Sequence, residues 1–210
     1  MRQPSSVSRP TTIVFDVGGV LLDWNPRHLY RKIFSDTEDM EWFLANVCTP
    51  EWNAAQDQGR AWHVAEAEAI ARHPSHADSI HAFRARWHEM IPSPIDGTVA
   101  ILENLARQGV PLYAITNFAS ETFRETTARF AFFRHFRGIV VSGDIGMLKP
   151  DPAIYQRLAN DHGVDLTHAV FIDDVAHNVA AAHALGMTAI TFSDARQLGT
   201  SLVALGFDCV

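Results

Sequence analysis

The sequence predicts an α/β fold: a Rossmann-like parallel sheet core with helices on both faces and an inserted helical cap. Three observations predict it. Short apolar, β-branched runs end in polar residues; helical patterns separate those runs; and one stretch near the start has helical periodicity but no such run. A chain of 210 residues with 47% hydrophobic and 20% charged content can fill the core this fold needs, which excludes disordered, collagenous and disulfide-stapled classes.

The first strand is expected over residues 11–15, running into Asp16 and a tight loop with Gly18 and Gly19. Asp96 can start a helix that puts Val99, Leu102, Leu105 and Ala106 on one face and stops at Gly109. A second strand, residues 110–115, ends at Thr116-Asn117, and a third, residues 138–141, ends at Ser142-Gly143. Asp151-Pro152 starts a helix closed by Gly163, because proline suits a first helical turn and glycine a C-cap. The fourth strand, residues 169–172, ends at Asp173-Asp174, and residues 175–185 form a helix closed by Gly186. A last strand over 187–192 and a helix over 195–205 complete the pattern. Strands alternating with helices imply right-handed crossovers and a parallel sheet, whose ligands bind outside the carboxyl ends of the strands.

Residues 23–92 are the expected cap, with residues 11–22 and 93–210 as the core and residues 1–10 as a flexible leader. Helical periodicity is carried by Leu29, Ile33 and Phe34, then by Met40, Phe43, Leu44 and Val47, then by residues 61–71 and 80–87. All five tryptophans, Trp24, Trp42, Trp52, Trp62 and Trp87, fall there; most are expected to pack a small bundle, with one or two facing the crevice.

Seventeen Lys and Arg against 24 Asp and Glu leave a net charge of −7, which argues against nucleic-acid or anionic-membrane partners. No apolar run approaches the ~20 residues that span a bilayer, and the polar leader lacks a signal-peptide core. Cys48 and Cys209 have no metal or redox spacing, so the expected setting is the reduced cytoplasm. Oligomeric state is left open.

The strand ends carry the chemistry. Asp16 precedes a glycine loop whose N–H groups can approach an anion. Thr116 and Asn117 offer phosphate-binding donors. Lys149, one of two lysines in an arginine-rich chain, is framed by Pro150 and Pro152 and reads as an anchored point charge. Asp173 and Asp174 repel each other unless a cation sits between them, and with Asp16 they form a hard-oxygen set suited to Mg²⁺. Asn178 is placed to orient that pair, and Asp174 could cap the following helix, alone or together with a metal role.

In order and position, Phe15-Asp16-Val17-Gly18-Gly19-Val20-Leu21, Ile115-Thr116-Asn117, Gly146-Met147-Leu148-Lys149-Pro150-Asp151-Pro152 and Phe171-Ile172-Asp173-Asp174 resemble the four motifs of the haloacid dehalogenase superfamily. Within it the chain looks most like small sugar-phosphate phosphatases such as those acting on glucose 1-phosphate. The resemblance implies a phosphomonoester hydrolase acting on a small phosphorylated metabolite. Asp16 would be the nucleophile and form an aspartyl-phosphate. Mg²⁺ would be held by Asp16, Asp173, Asp174 and the Gly18 carbonyl, and Thr116, Asn117 and Lys149 would bind the phosphoryl oxygens.

Gly18 departs from the pattern, because phosphatases of this superfamily usually carry an acid–base Asp there; that help is worth ~10²–10⁴-fold. Leaving groups that need little protonation, or Asp23 or a water as substitute, are the expected remedies. A 2-haloacid dehalogenase is the rival reading, disfavoured by Asp173-Asp174; a non-catalytic phospho-ligand-binding protein is the third. Asp23, Trp52, Asp57 and Arg60 are the candidates for substrate specificity, with residues 51–60 as the expected substrate-facing segment.

Overall fold

The computed structural model describes residues 9–209. Strand β1 (Thr12–Phe15) sits at the middle of a five-stranded sheet, and its side chains alternate between two cores as a strand's period of two requires. Val14 packs with Ile115, Phe171 and Tyr155 on one face, while Ile13 and Phe15 join Leu112, Ile172 and Leu102 on the other. Such strands are apolar throughout because both faces are covered.

After β1 come five helices: α1 (Arg27–Tyr30), α2 (Thr37–Asn46), α3 (Pro50–Asp57), α4 (Trp62–Arg72) and α5 (Ala77–Ala85). Asp36 and Thr49 cap α2 and α3 through their side chains. The chain leaves and re-enters side by side: Asp23 donates its N–H to the Ser93 carbonyl at 3.2 Å, and Leu22 bridges Pro94. Then follow α6 (Asp96–Arg107), β2 (Leu112–Thr116), α7 (Ser120–Thr127), β3 (Gly138–Val141), α8 (Ser142–Ile145) and α9 (Pro152–His162). Finally come β4 (Ala169–Asp173), α10 (Ala176–Ala184), β5 (Thr188–Thr191) and α11 (Ala195–Ala204).

All strands pair in parallel in the order β3-β2-β1-β4-β5. Connections therefore run away from β1 in opposite directions on its two sides, which opens a crevice at the carboxyl ends of β1 and β4. Strand β2 starts two residues later than expected. Val110 still donates to Leu105 as part of the α6 terminus, and Pro111 has no N–H to give the ladder. Helix α7 has no signal in the sequence, since Ser120–Thr127 is rich in threonine; burial of Thr122, Phe123 and Thr126 makes it helical.

Trp52, Trp62 and Trp87 are buried and stack with Phe83 in the core of the inserted helices, whereas Trp42 is exposed. Residues 1–8 of the expected leader lie outside the described residues. Among the described residues no helix is long and apolar enough to cross a membrane.

Candidate active site

Asp16 leaves the end of β1 buried, and its Oδ1 accepts the Val17 N–H at 2.6 Å. The loop then turns at Gly19, whose φ of 74° is one that L side chains avoid. A Cβ there would stand 2.5 Å from Asp174 Oδ2, so the glycine lets that carboxylate lean on the loop. Gly18 is different: an added Cβ would meet nothing nearer than Trp24 Cβ at 3.9 Å.

Lys149 is buried with its Nζ 2.8 Å from Asp16 Oδ1 and 2.7 Å from Asp173 Oδ2. Its backbone is clamped by Asn117, which accepts the Lys149 N–H at 2.8 Å and donates Nδ2 to the Lys149 carbonyl at 3.1 Å. The Asn117 side chain is thereby committed to positioning Lys149 and leaves only its backbone for an anion. Thr116 is buried at the end of β2 and does not reach the cleft surface.

Asp173 is fully buried, with Asn178 Nδ2 3.1 Å from both of its carboxylate oxygens and the Val175 N–H 2.8 Å from Oδ1. Asp173, and not Asp174, thus meets the start of α10, and the capping alternative for Asp174 is corrected. Asp174 stays exposed toward the cleft. Oxygens of Asp16, Asp173 and Asp174 lie within 4.8 Å of one another, a hard donor set that fits a divalent cation such as Mg²⁺.

Burial pushes the Asp16 carboxyl up to about 7, with Lys149 pulling it back and Asp173 adding repulsion. Burial and the neighbouring Asp173 likewise raise Asp174. Burial alone would lower Lys149, but Asp16 and Asp173 outweigh it and hold the ammonium charged. A cation among the carboxylates would relieve the same repulsion.

Asp16, Lys149, Asp174, Asn117 and Asn178 form the floor of a cleft of about 560 Å³, with Asp173 buried beneath them. Its other walls come from the inserted helices and the β2 loop: Trp24, Arg27, Asn53, Asp57, Trp87 and Phe118. Of the four specificity candidates, only Asp57 lines the cleft. Asp23 lies outside it, 3.0 Å from His28 Nε2. Trp52 is turned into the aromatic core, 5.2 Å from the Phe83 ring, because it occupies the opposite face of α3. Arg60 is tied down by Gln56 Oε1 at 2.6 Å and Glu68 at 3.2 Å, beside a separate cavity of about 270 Å³. Trp24 and Trp87 are the tryptophans that face the crevice, as expected of one or two of the five, whereas Arg27 and Asn53 are not among the residues expected there. Asn53 had a signal, since it stands four residues before Asp57 on one helix face and donates to its Oδ2 at 2.9 Å.

A family model described as a haloacid dehalogenase-like hydrolase matches residues 10–186. A sesquiterpene phosphatase of Aspergillus oryzae is 26% identical over 181 residues, 86% of this chain and 89% of that protein. A drimenol cyclase of Aspergillus calidoustus is 25% identical over 183 residues, 86% of this chain but 33% of that one. Among solved structures, a variant of a Bacteroides thetaiotaomicron enzyme in complex with magnesium and inorganic phosphate superposes with a TM-score of 0.68 at 21% identity, covering 88% and 95% of the two chains. That likeness shows the shared fold.

Proposed function

The chain belongs to the haloacid dehalogenase-like hydrolase family, and on that premise we propose that it is a Mg²⁺-dependent phosphomonoester hydrolase with Asp16 as nucleophile. One observation carries the reading: Asp16, held at 2.8 Å by Lys149, opens onto the cleft beside Asp174 at the carboxyl ends of β1 and β4. Asp16, Asp173, Asp174 and the Gly18 carbonyl would hold Mg²⁺, which supplies positive charge opposite the phosphoryl oxygens when bound.

Asp16 attacks phosphorus in line, a P–O bond to the leaving group breaks, and the aspartyl-phosphate is then hydrolysed to regenerate the carboxylate. Lys149 and the Asn117 N–H offset the charge on the equatorial oxygens. Asn178 and Asn117 act by position: one fixes Asp173 and the other the Lys149 backbone. Residues 23–92 act as the cap, covering the cleft and excluding water.

The substrate is a small phosphorylated metabolite. A sugar phosphate is one class, and the aromatic wall of Trp24, Trp87 and Phe118 supports a leaving group with an apolar face as another. The sesquiterpene phosphatase relative supports including a prenyl alcohol phosphate. The acidic balance supports a reaction without nucleic acid or anionic-membrane partners, and two cysteines without metal or redox spacing support a reduced, cytoplasmic setting.

Phosphate release from such a panel, with and without Mg²⁺, tests the proposal. Mg²⁺-dependent release that disappears in Asp16→Asn is expected. No release from any member would overturn it, and halide release from a 2-haloacid would move the chemistry to the dehalogenase branch.

A further inference from the structure

Ester hydrolysis produces an alkoxide that needs a proton, and the floor of the cleft has none to spare. Asp16 and Lys149 are paired with each other, Lys149 also with Asp173, and Gly18 has no side chain. On the walls, the Arg27 guanidinium is held bidentately by Glu41 at 2.6 and 2.5 Å. Asp174 is taken up with Asp16 and Asp173 in the cation site, which leaves Asp57 among the titratable groups that line the cleft.

We infer that Asp57, carried over the cleft by α3, donates a proton to the leaving oxygen and then takes one from the attacking water; the inference rests on the phosphatase reading above. Asp57 is 7% exposed, and while Asn53 Nδ2 holds its Oδ2, its buried Oδ1 has no hydrogen-bond partner. A buried, unpaired carboxyl oxygen is costly as an anion and less so as a protonated acid. The Asp57 backbone, and with it the end of α3, is anchored to the catalytic end of the sheet. Ser142 Oγ, after β3, donates to the Asp57 carbonyl at 2.5 Å and itself accepts the Phe118 N–H, after β2, at 2.8 Å. Gln58 Nε2 adds a contact to the Gly146 carbonyl at 3.2 Å.

Burial pushes the Asp57 carboxyl up to about 7, and the nearby Ala119 N–H pulls it back only in part. The charged groups sharing the cleft are Asp16 and Asp174 from the ends of β1 and β4, Lys149 from the loop before α9, and Arg27 from α1. A group titrating near neutrality is the one best suited to give and accept a proton in turn.

The steps balance. As Asp16 bonds to phosphorus and the P–O bond of the ester breaks, the Asp57 proton moves to the leaving oxygen, giving a neutral alcohol and an Asp57 carboxylate. Water then attacks phosphorus, its proton passes to Asp57, and the bond to Asp16 breaks to release inorganic phosphate. Esters of poor leaving groups are therefore substrates in their own right, in place of the restriction to acidic leaving groups that Gly18 suggests, and Asp57 takes the part assigned to Asp23.

The test compares wild-type and Asp57→Asn protein on p-nitrophenyl phosphate, whose leaving group needs no proton, and on a primary alkyl phosphate. Alcohol release from the alkyl ester should fall about 10²–10⁴-fold in the variant. The p-nitrophenolate burst should persist, with slow turnover after it as water goes unactivated. Equal losses in first-turnover release of the alcohol and of p-nitrophenolate, or no loss of either, overturn the inference. The wild type tests it independently: in saturating Mg²⁺, whose charge would keep Asp16 ionised, its single-turnover rate on alkyl phosphates should decline as pH rises through about 7. It should also depend weakly on leaving-group acidity, and a steep dependence overturns the role of Asp57. Absence of release from every ester by the wild type would bring down the phosphatase reading itself, whereas turnover insensitive to Asp57→Asn brings down this inference alone.

Discussion

Replacing Lys149 by methionine tests whether the site is an ionic cluster held by one cation. Lys149 is 4% exposed and bridges Asp16 and Asp173 at 2.8 and 2.7 Å, so methionine keeps the stem and removes the only charge between two buried carboxylates. At pH 8, above the value of about 7 reached by Asp16, both acids need that charge. Breaking a buried pair from one side costs about 3–5 kcal/mol. For a chain of this size each kcal/mol moves the midpoint by roughly 2–4 °C, so thermal unfolding in EDTA should shift down by about 6–20 °C. Adding Mg²⁺ should close part of the gap, because a cation among Asp16, Asp173 and Asp174 supplies the missing charge. A shift in EDTA below about 2 °C, or a gap that Mg²⁺ leaves unchanged, would refute the reasoning: the carboxylates would then be neutral in the native protein.

Gly19→Ala forces a Cβ to 2.5 Å from Asp174 Oδ2 at a φ of 74°. Beyond a backbone cost of about 1–2 kcal/mol, it should displace Asp174 and weaken Mg²⁺ binding about 10–100-fold by calorimetry. Unchanged affinity would remove Asp174 from the cation site. Asp57→Asn should also alter stability with pH. The folded carboxyl titrates at about 7, above its unfolded value of about 3.9, so its contribution is complete below the lower value and lost as pH rises through the higher one. Urea unfolding should therefore show the variant gaining on the wild type between pH 4 and 8, by up to about 4 kcal/mol. Parallel curves across that range would mean that Asp57 is not desolvated.

Much of the site was legible because its residues follow short apolar strands, and in a parallel sheet all such ends gather on one side. Asp16, Asn117, Lys149, Asp173 and Asp174 come from four separate segments, yet each is marked by the apolar run before it or, for Lys149, by the prolines after it. Strand period and glycine or proline stops are local signals, so they survive without any knowledge of partners. The late start of β2 and the helicity of Ser120–Thr127 were not legible, because a proline's effect on the ladder and the burial of threonines depend on what lies alongside.

The inserted helices show the division most clearly. Helix α3 buries Trp52 and Gln56 as well as Asn53 and Asp57, being wedged between an aromatic core and the cleft. Helical period alone sorts these residues into two faces, but the face that meets the strand ends is chosen by how α3 docks on Ser142 and Gly146, contacts 85 and 88 residues away in the chain. The sequence by itself determined the parallel sheet, the order of its polar ends and the carboxylate set they form. Only the tertiary structure decided that the Asn117 side chain positions Lys149, that Asn178 holds Asp173 and not Asp174, that Trp52 and Arg60 turn away from the cleft, and that Asp57 faces it. Those assignments depend on packing between segments distant in the chain, which no local pattern encodes.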